Sequence, residues 1–463
     1  MHSPFPELPT LKAPVYVHMD LTKRCNFECF YCSIRDNDSA PISTFPVSHF
    51  QQILARLAEA DVFDVSFFGG EPFLYPHIYE LAAYARDAGL TVGFLTNGSL
   101  ICKDDVKRVV RSFDAGAVAL NGVGDVHDRM VGMAGAFTKA DYLIKSLVEE
   151  GFEVAIDTVV SKSTLDHFDE LLTYIGKNLH VEIINVNTFM AYDDIGPTEV
   201  MDLPSFHRIL SVVDKHVKGE LKNRLMLGGP VPWCLFPKEY AYLANSCSPG
   251  WMFAGIDSYG NVRMCPWSSK VVGNLLEMPL DQIWQTSEEL KKYRSFSWSD
   301  PICSTCAVRT YCLGGCHVTQ STPPYSLGKQ WKPYARPLSI EEVMDLAAQP
   351  NPTLHRAGVL SDDGTDRPLE LNPKLRSRKE PVGYTAYSHL KGAYWLNDTS
   401  KEVLDLVAKH GNEERVVQAF QRKYTRVEPD RLKKDVHGVI SMLERMHFVV
   451  PRHGDDGGTC KIA

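Results

Sequence analysis

The sequence predicts an α/β protein in which a six-unit partial (β/α)6 barrel is followed by a cysteine-rich extension and a small α+β domain. Three observations carry this. Residues 15–190 alternate short apolar runs with amphipathic stretches. Cysteines gather in two arrays, Cys25 to Cys32 and Cys247 to Cys316. Beyond residue 373 a strand-like segment leads into three helix-like ones, and the charge changes sign. At 463 residues the chain exceeds the roughly 100–200 residues of one domain. It divides into a barrel at 14–200, a helical connector at 201–245, the cysteine-rich extension at 246–320, a linker at 321–372 and a terminal domain at 373–452.

The expected barrel strands are 15–22, 65–69, 91–96, 116–121, 153–160 and 181–189. Between them, 49–60, 78–88, 136–150 and 165–177 repeat apolar residues at three- and four-residue steps, as helices with one buried face do. Strand–helix units in series pair in parallel through right-handed crossovers, and such barrels carry their chemistry at the C-terminal strand ends. The linker holds seven prolines and little periodicity. In the terminal domain, 384–396 has strand character, helices are expected at 400–410, 413–424 and 430–447, and Thr399 with Glu402 forms a capping-box pattern.

Composition excludes several classes. With 44% hydrophobic and 23% charged residues and no apolar run near the ~18 residues that span a bilayer, the chain reads as globular and not membrane-bound. Its start lacks an apolar signal core, which predicts a cytoplasmic protein, and in such a chain twelve clustered cysteines read as metal ligands more than as disulfides. The net charge of −8 argues against a general nucleic-acid surface. From Lys374 to Arg452, however, sixteen Lys/Arg stand against ten Asp/Glu, a basic module on an acidic body.

Cys25, Cys29 and Cys32 supply three thiolates in eight residues and no fourth. An iron–sulfur cube with three protein ligands keeps one iron open to a small ligand. The alternatives are an incomplete zinc knuckle or a redox thiol pair; neither His18 nor Asp36 completes a zinc spacing. The C-x3-C-x2-C spacing, the aromatic Tyr31 before the last cysteine and the turn Gly69-Gly70-Glu71-Pro72 together resemble the radical S-adenosylmethionine (SAM) enzymes. That resemblance implies a [4Fe–4S] cluster on the three cysteines and SAM held by Gly69, Gly70, Glu71 and Pro72 at its amino group. Tyr31 would lie near the adenine, and Thr96 and Asn97 near the methionyl or ribose portion. It also implies an electron donor such as flavodoxin or ferredoxin. Ala119-Leu120-Asn121-Gly122 departs from the Ser-Leu-Asp-Gly of many relatives and loses a hydroxyl near the ribose, whereas Val126-His127-Asp128-Arg129 matches members that act on peptides.

The second array, Cys247, Gly260 and Cys265 followed by Cys303, Cys306, Cys312 and Cys316, resembles the SPASM extension, which carries one or two auxiliary [4Fe–4S] clusters. Taken alone, Cys303 to Cys316 would also suit zinc. By resemblance, Cys247, Cys265 and Cys316 serve the first auxiliary cluster, and Cys303, Cys306 and Cys312 the second. The usual seventh cysteine is missing, because nothing follows Cys316 until Cys460. Cys234 is expected to close the first cluster, with a free buried thiol as its alternative. The second has Cys460, a non-cysteine ligand or an open iron; Cys102 and Cys460 otherwise read as free thiols. Pro266 stands where sulfatase-maturing relatives place an acid, so that acid–base role is not inherited.

The terminal module, with Tyr394-Trp395-Leu396-Asn397 leading into its first helix, resembles the PqqD-like element, a small winged helix that holds the leader of a ribosomally made precursor peptide. A DNA-binding winged helix is the rival. The expected function is a radical SAM maturase that binds such a leader and modifies the core peptide by hydrogen abstraction, forming a cross-link or rearranging a side chain. Two alternatives stay open: an enzyme of the same chemistry acting on a folded protein or small metabolite, and a redox-sensing regulator of nucleic acid.

Overall fold

Apolar runs become parallel strands where their periodicity predicts them. The computed structural model describes residues 7–32, 45–189, 199–222, 224–228, 231–316, 334, 336–339, 369–388, 392–445 and 448–451. In the barrel, β1 (Tyr16–Thr22), α1 (Val47–Glu59), β2 (Asp64–Gly69), α2 (Ile78–Asp87), β3 (Thr91–Thr96), α3 (Lys103–Ser112) and β4 (Gly116–Ala119) are followed by α4 (Asp125–Val131), α5 (Ala136–Glu149), β5 (Val154–Val160), α6 (Phe168–Asn178) and β6 (Ile183–Thr188). Neighbouring strands from β1 to β6 pair in parallel. Helix α1 shows why the helices form where they do. Phe50, Ile53, Leu54 and Leu57 recur on one face, and all four are buried against the sheet-centred core.

The sheet runs past the six expected strands at both ends. The stretch expected as a helical connector holds α7 (Leu203–Lys218) but also β7 (Leu225–Leu227), which adds in parallel to β6. Beyond it, β8 (Phe253–Ile256) pairs in parallel with β1 and continues through β9 (Asn261–Arg263) and β10 (Val271–Asn274) as an antiparallel meander. Ten strands therefore lie in the order β10-β9-β8-β1-β2-β3-β4-β5-β6-β7. Barrel, connector and extension share this one sheet and fall in one compact unit, Met1–Thr353, rather than three. Helices α8 (Leu280–Thr286), α9 (Glu288–Arg294) and α10 (Arg309–Cys312) complete its described part.

The second unit, Leu354–Ala463, has its own core. Within it β11 (Leu369–Leu371) precedes β12 (Arg376–Lys379), β13 (Tyr384–Ser388), β14 (Gly392–Leu396), α11 (Asp398–His410), α12 (Glu413–Lys423), α13 (Pro429–Arg445) and β15 (Val449–Pro451). Strands β12, β13 and β14 form an antiparallel sheet, and β11 pairs with β15. Residues 369–371, expected as linker, thus belong to this fold; nearly all the rest of the expected linker lies outside the described residues. The cap of α11 is Asn397, whose side chain accepts from the Ser400 N–H at 2.8 Å, not Thr399. Just past β12 Glu380 is buried with the Arg378 Nε at 2.7 Å and the Thr385 hydroxyl at 2.9 Å, so the carboxylate keeps both a charge partner and a donor.

Candidate active site

The C-terminal ends of the barrel strands open into one cavity, as the strand order requires. The β1 loop brings Cys25, Cys29, Tyr31 and Cys32 to its wall, β2 brings Phe68, Gly69 and Gly70, and β3 brings Thr96 and Asn97. From β4 to β6 come Asn121, Asp157 and Asn187. The extension adds Cys247, Cys265 and Cys316, with Phe253 and Trp267. Two of the three thiol sets therefore line the same space.

The first set sits on a loop without regular structure, and its neighbours fix its path. Glu28 and Phe30 donate backbone N–H groups to Val131 and Met130 at the end of α4, at 3.0 and 3.2 Å. Phe27 is buried against Met130, Val131 and Ala136. The motif Val126-His127-Asp128-Arg129 thus supports the cysteine loop. His127 Nδ1 accepts the Asn121 N–H at 3.0 Å, and Asp128 accepts from the Gly135 and Phe137 N–H groups. The Cys25 sulfur receives the Phe27 N–H at 3.4 Å and the Asn97 side-chain amide at 3.8 Å. Burial pushes Cys25 up to about 11 and Cys29 to about 12, so both are neutral thiols until a metal displaces their protons.

The Gly69-Gly70-Glu71-Pro72 turn serves this loop too. A Cβ on Gly70 would lie 2.0 Å from the Arg24 carbonyl oxygen, and one on Gly69 2.2 Å from that of Thr22. Gly69 also has φ +120°, which disfavours any side chain. Glycine is required because the strand ends dock here: the Gly70 N–H reaches Thr22 O at 2.7 Å and the Glu71 N–H reaches Arg24 O at 2.8 Å. Glu71 and Pro72, expected at the ligand, are absent from the cavity wall. Both are buried, and the Glu71 carboxylate is consumed by the Thr96 hydroxyl (2.7 Å), the Asn97 N–H (2.8 Å) and the Phe73 N–H (3.1 Å). Burial outweighs these donors and raises Glu71 to about 7. Tyr31 lines the cavity with its hydroxyl tied to the Asn121 amide at 2.7 Å and to the Cys29 thiol.

The remaining cysteines separate into two groups. Cys247 interacts electrostatically with Cys265 and Cys316, all three in the cavity wall. Cys303 and Cys312 interact with Cys306 and with Cys234. Cys234 therefore stands in the second group, not with the first as expected from its nearness to Cys247. Burial raises Cys247 well above the usual thiol range, Cys265 and Cys312 to about 12 and Cys303 to about 11. Among the described residues no three His, Cys, Asp or Glu side chains are arranged around a single metal ion. Cys102 is an exposed cap of α3 outside the cavity, and Cys460 lies outside the described residues.

Two features of the site escaped the sequence reading. Asp157 on β5, paired in register with Ala119 on β4, puts a carboxylate at the wall where the expected hydroxyl is lost. Asn187 on β6 holds it at 3.0 Å, and burial raises it to about 6. Arg263 on β9 donates to the buried Asp20 of β1 at 2.6 Å and to Pro266 O at 2.9 Å, tying the Cys265 loop to the barrel. Burial raises Asp20 to about 6 against the pull of the guanidinium. Neither pairing has a local sequence signal, since each partner is distant in the chain.

Residues 19–175 match the model of the radical SAM superfamily, 247–307 that of an iron–sulfur cluster-binding domain called SPASM, and 385–449 that of coenzyme PQQ synthesis protein D. The chain is 25% identical to an AdoMet-dependent heme synthase of Methanosarcina barkeri, over 65% of its own length and 91% of that protein. It is 25% identical to a PqqA peptide cyclase of Bradyrhizobium diazoefficiens (66% and 82% covered) and 28% identical to the mycofactocin maturase MftC of Mycolicibacterium smegmatis (66% and 79%). Among solved structures, Streptococcus suis SuiB bound to S-adenosylmethionine superposes with a TM-score of 0.57 at 20% identity, over 71% of this chain and 77% of SuiB. This likeness is one of fold. No described helix is long and apolar enough to cross a membrane.

Proposed function

We propose that this radical SAM enzyme, which carries SPASM and PqqD-like domains, is a maturase that holds the leader of a ribosomally made peptide and modifies its core. The observation that carries the reading is a PqqD-like unit with its own core on the same chain as a cavity lined by two thiol sets. Relatives named as a peptide cyclase and a mycofactocin maturase support it.

The donor chemistry fits the cofactors that these domains imply, since iron–sulfur clusters are held by thiolates and the cavity wall presents two sets of three. Cys25, Cys29 and Cys32 would hold the cluster that meets SAM. Cys247, Cys265 and Cys316 would hold the first auxiliary cluster, and Cys303, Cys306 and Cys312 would hold the second. When bound, the reduced cluster and SAM supply a 5′-deoxyadenosyl radical that removes a hydrogen atom from substrate. Gly69, Gly70, Thr96, Asn97 and Tyr31 are the wall residues that would seat SAM; Glu71 and Pro72 hold that wall in place. Asn97 orients the cysteine loop through Cys25 and Asn26. Phe68, Phe253 and Trp267 shield the cavity with apolar surface, which protects a radical from water. A flavodoxin or ferredoxin in the cytoplasm would supply electrons.

The basic terminal module suits an acidic leader, and a leader added to a sheet edge gains backbone hydrogen bonds. Its effect is local concentration: the core peptide is kept near the cavity. The test uses the full chain, reconstituted anaerobically, with the short peptide encoded beside its gene. Mass spectrometry should show the dilute precursor modified far faster than the same core without its leader, with the difference shrinking as core concentration rises and as salt screens the contact. Equal rates for dilute precursor and dilute leaderless core would refute leader capture.

A further inference from the structure

We propose that Cys234 is the fourth ligand of the second auxiliary cluster, supplied from ahead of the SPASM segment in place of the missing downstream cysteine. The inference rests on the cluster reading above and adds a ligand that lies outside the matched SPASM residues, 247–307.

Four thiols assemble here from three stretches of chain. Cys234 occupies a single 3-10 turn, Trp233–Leu235, that follows Pro232. Cys303 lies within the 3-10 turn Pro301–Thr305, Cys306 caps its end, and Cys312 ends α10. The turn is fastened to its partners by the backbone itself, because the Trp233 N–H donates to the Cys312 sulfur at 3.3 Å. From the other side residues 336–339 cross the set. The Leu338 N–H donates to the Cys306 sulfur at 3.4 Å, the Ala307 N–H returns to Leu338 O at 3.1 Å, and the Arg336 N–H meets the Cys234 sulfur. Backbone donors therefore converge on three of the four sulfurs. A neutral thiol is a weak acceptor, whereas a metal-bound thiolate takes N–H donors well, and such outer contacts orient ligands and tune cluster potential.

The other auxiliary set does not compete for Cys234. Cys247, Cys265 and Cys316 interact with one another, and Cys265 and Cys316 are buried in the wall of the active cavity. Closing the second set at four thiolates gives it no open iron and fits it to carry electrons. It also leaves Cys460 without a ligand role.

Iron counting and spectroscopy test this independently of turnover. In full-length protein whose Cys25, Cys29 and Cys32 are Ala, only auxiliary iron remains after anaerobic reconstitution. In that background Cys234→Ala should lose one cluster's share of iron and sulfide. Cys234→Ser, which keeps an oxygen ligand, should retain iron but shift the electron paramagnetic resonance signal of the reduced protein. Cys460→Ser should match its parent in both. If Cys234→Ala folds poorly, the Ser variant decides. An unchanged signal and iron content in Cys234→Ser, or a loss confined to Cys460→Ser, would overturn the assignment. A parent that takes up no auxiliary iron would instead remove the underlying cluster reading.

Discussion

The Cys25 loop and the Cys234–Cys316 region assemble thiols in opposite ways. In the first, three cysteines lie within eight residues, and a scaffold of glycines, Glu71, Asn97 and the end of α4 holds the loop that carries them. In the second, each set is gathered from segments far apart in sequence, brought together by β8, by turns and by backbone N–H groups. A ligand set local in sequence announces itself by its spacing, but its precision depends on neighbours that never touch the metal. A dispersed set hides its membership in the tertiary fold.

That contrast is broken most sharply at Gly70. An added Cβ would collide with the Arg24 backbone, so the cysteine loop must move while the auxiliary sets, on other elements, stay put. Misplacement by about 1 Å can cost on the order of 10²-fold in rate. Gly70→Ala should therefore lower deoxyadenosine formation by roughly that factor with auxiliary iron unchanged. Formation at the parent rate would show that the docking of β2 on the loop does not position the cluster.

The legible parts of the fold were those with a strong local pattern. The six barrel strands are apolar runs, and α1, α2 and α5 carry apolar stripes, so periodicity found each within a few residues. Helix α3 leaves no such stripe in the sequence, because it is mostly charged and buries only Val106 and Val109. Strands β7 to β10 have three or four residues each and gain identity only from the sheet they join. Asn397 caps α11 in place of Thr399 because the helix begins at Asp398, which puts Thr399 inside the first turn. At the site, the motif does not reveal how its residues divide between wall and support. Gly69, Gly70, Thr96 and Asn97 reach the cavity, whereas Glu71 spends its carboxylate inward. The partition of Cys234 needed three-dimensional neighbours.

Asp157 offers a smaller, pH-dependent effect that sharpens the same lesson, since it enters the site through strand register alone. Burial lifts its carboxyl from the usual 3.8 to about 6. Between those values the unfolded chain is ionised and the folded one is not, so this group's contribution to stability falls as pH rises through the window. Asp157→Asn should remove that component, giving a shallower decline of unfolding temperature from pH 4 to 6 in metal-free protein. An identical slope in both proteins would show that Asp157 ionises freely at the wall.

Hydrogen transfer from a held peptide to the cavity is the central claim, and isotope transfer tests it most directly. The precursor is made with its core residues deuterated and its leader unlabelled, then incubated with the reconstituted enzyme, SAM and a strong reductant. Deuterium should appear in the 5′-deoxyadenosine that forms alongside modified peptide, and the variant lacking Cys25, Cys29 and Cys32 should form neither. Deoxyadenosine that stays free of deuterium while the core is modified, or that forms at full rate without those three cysteines, would contradict the account.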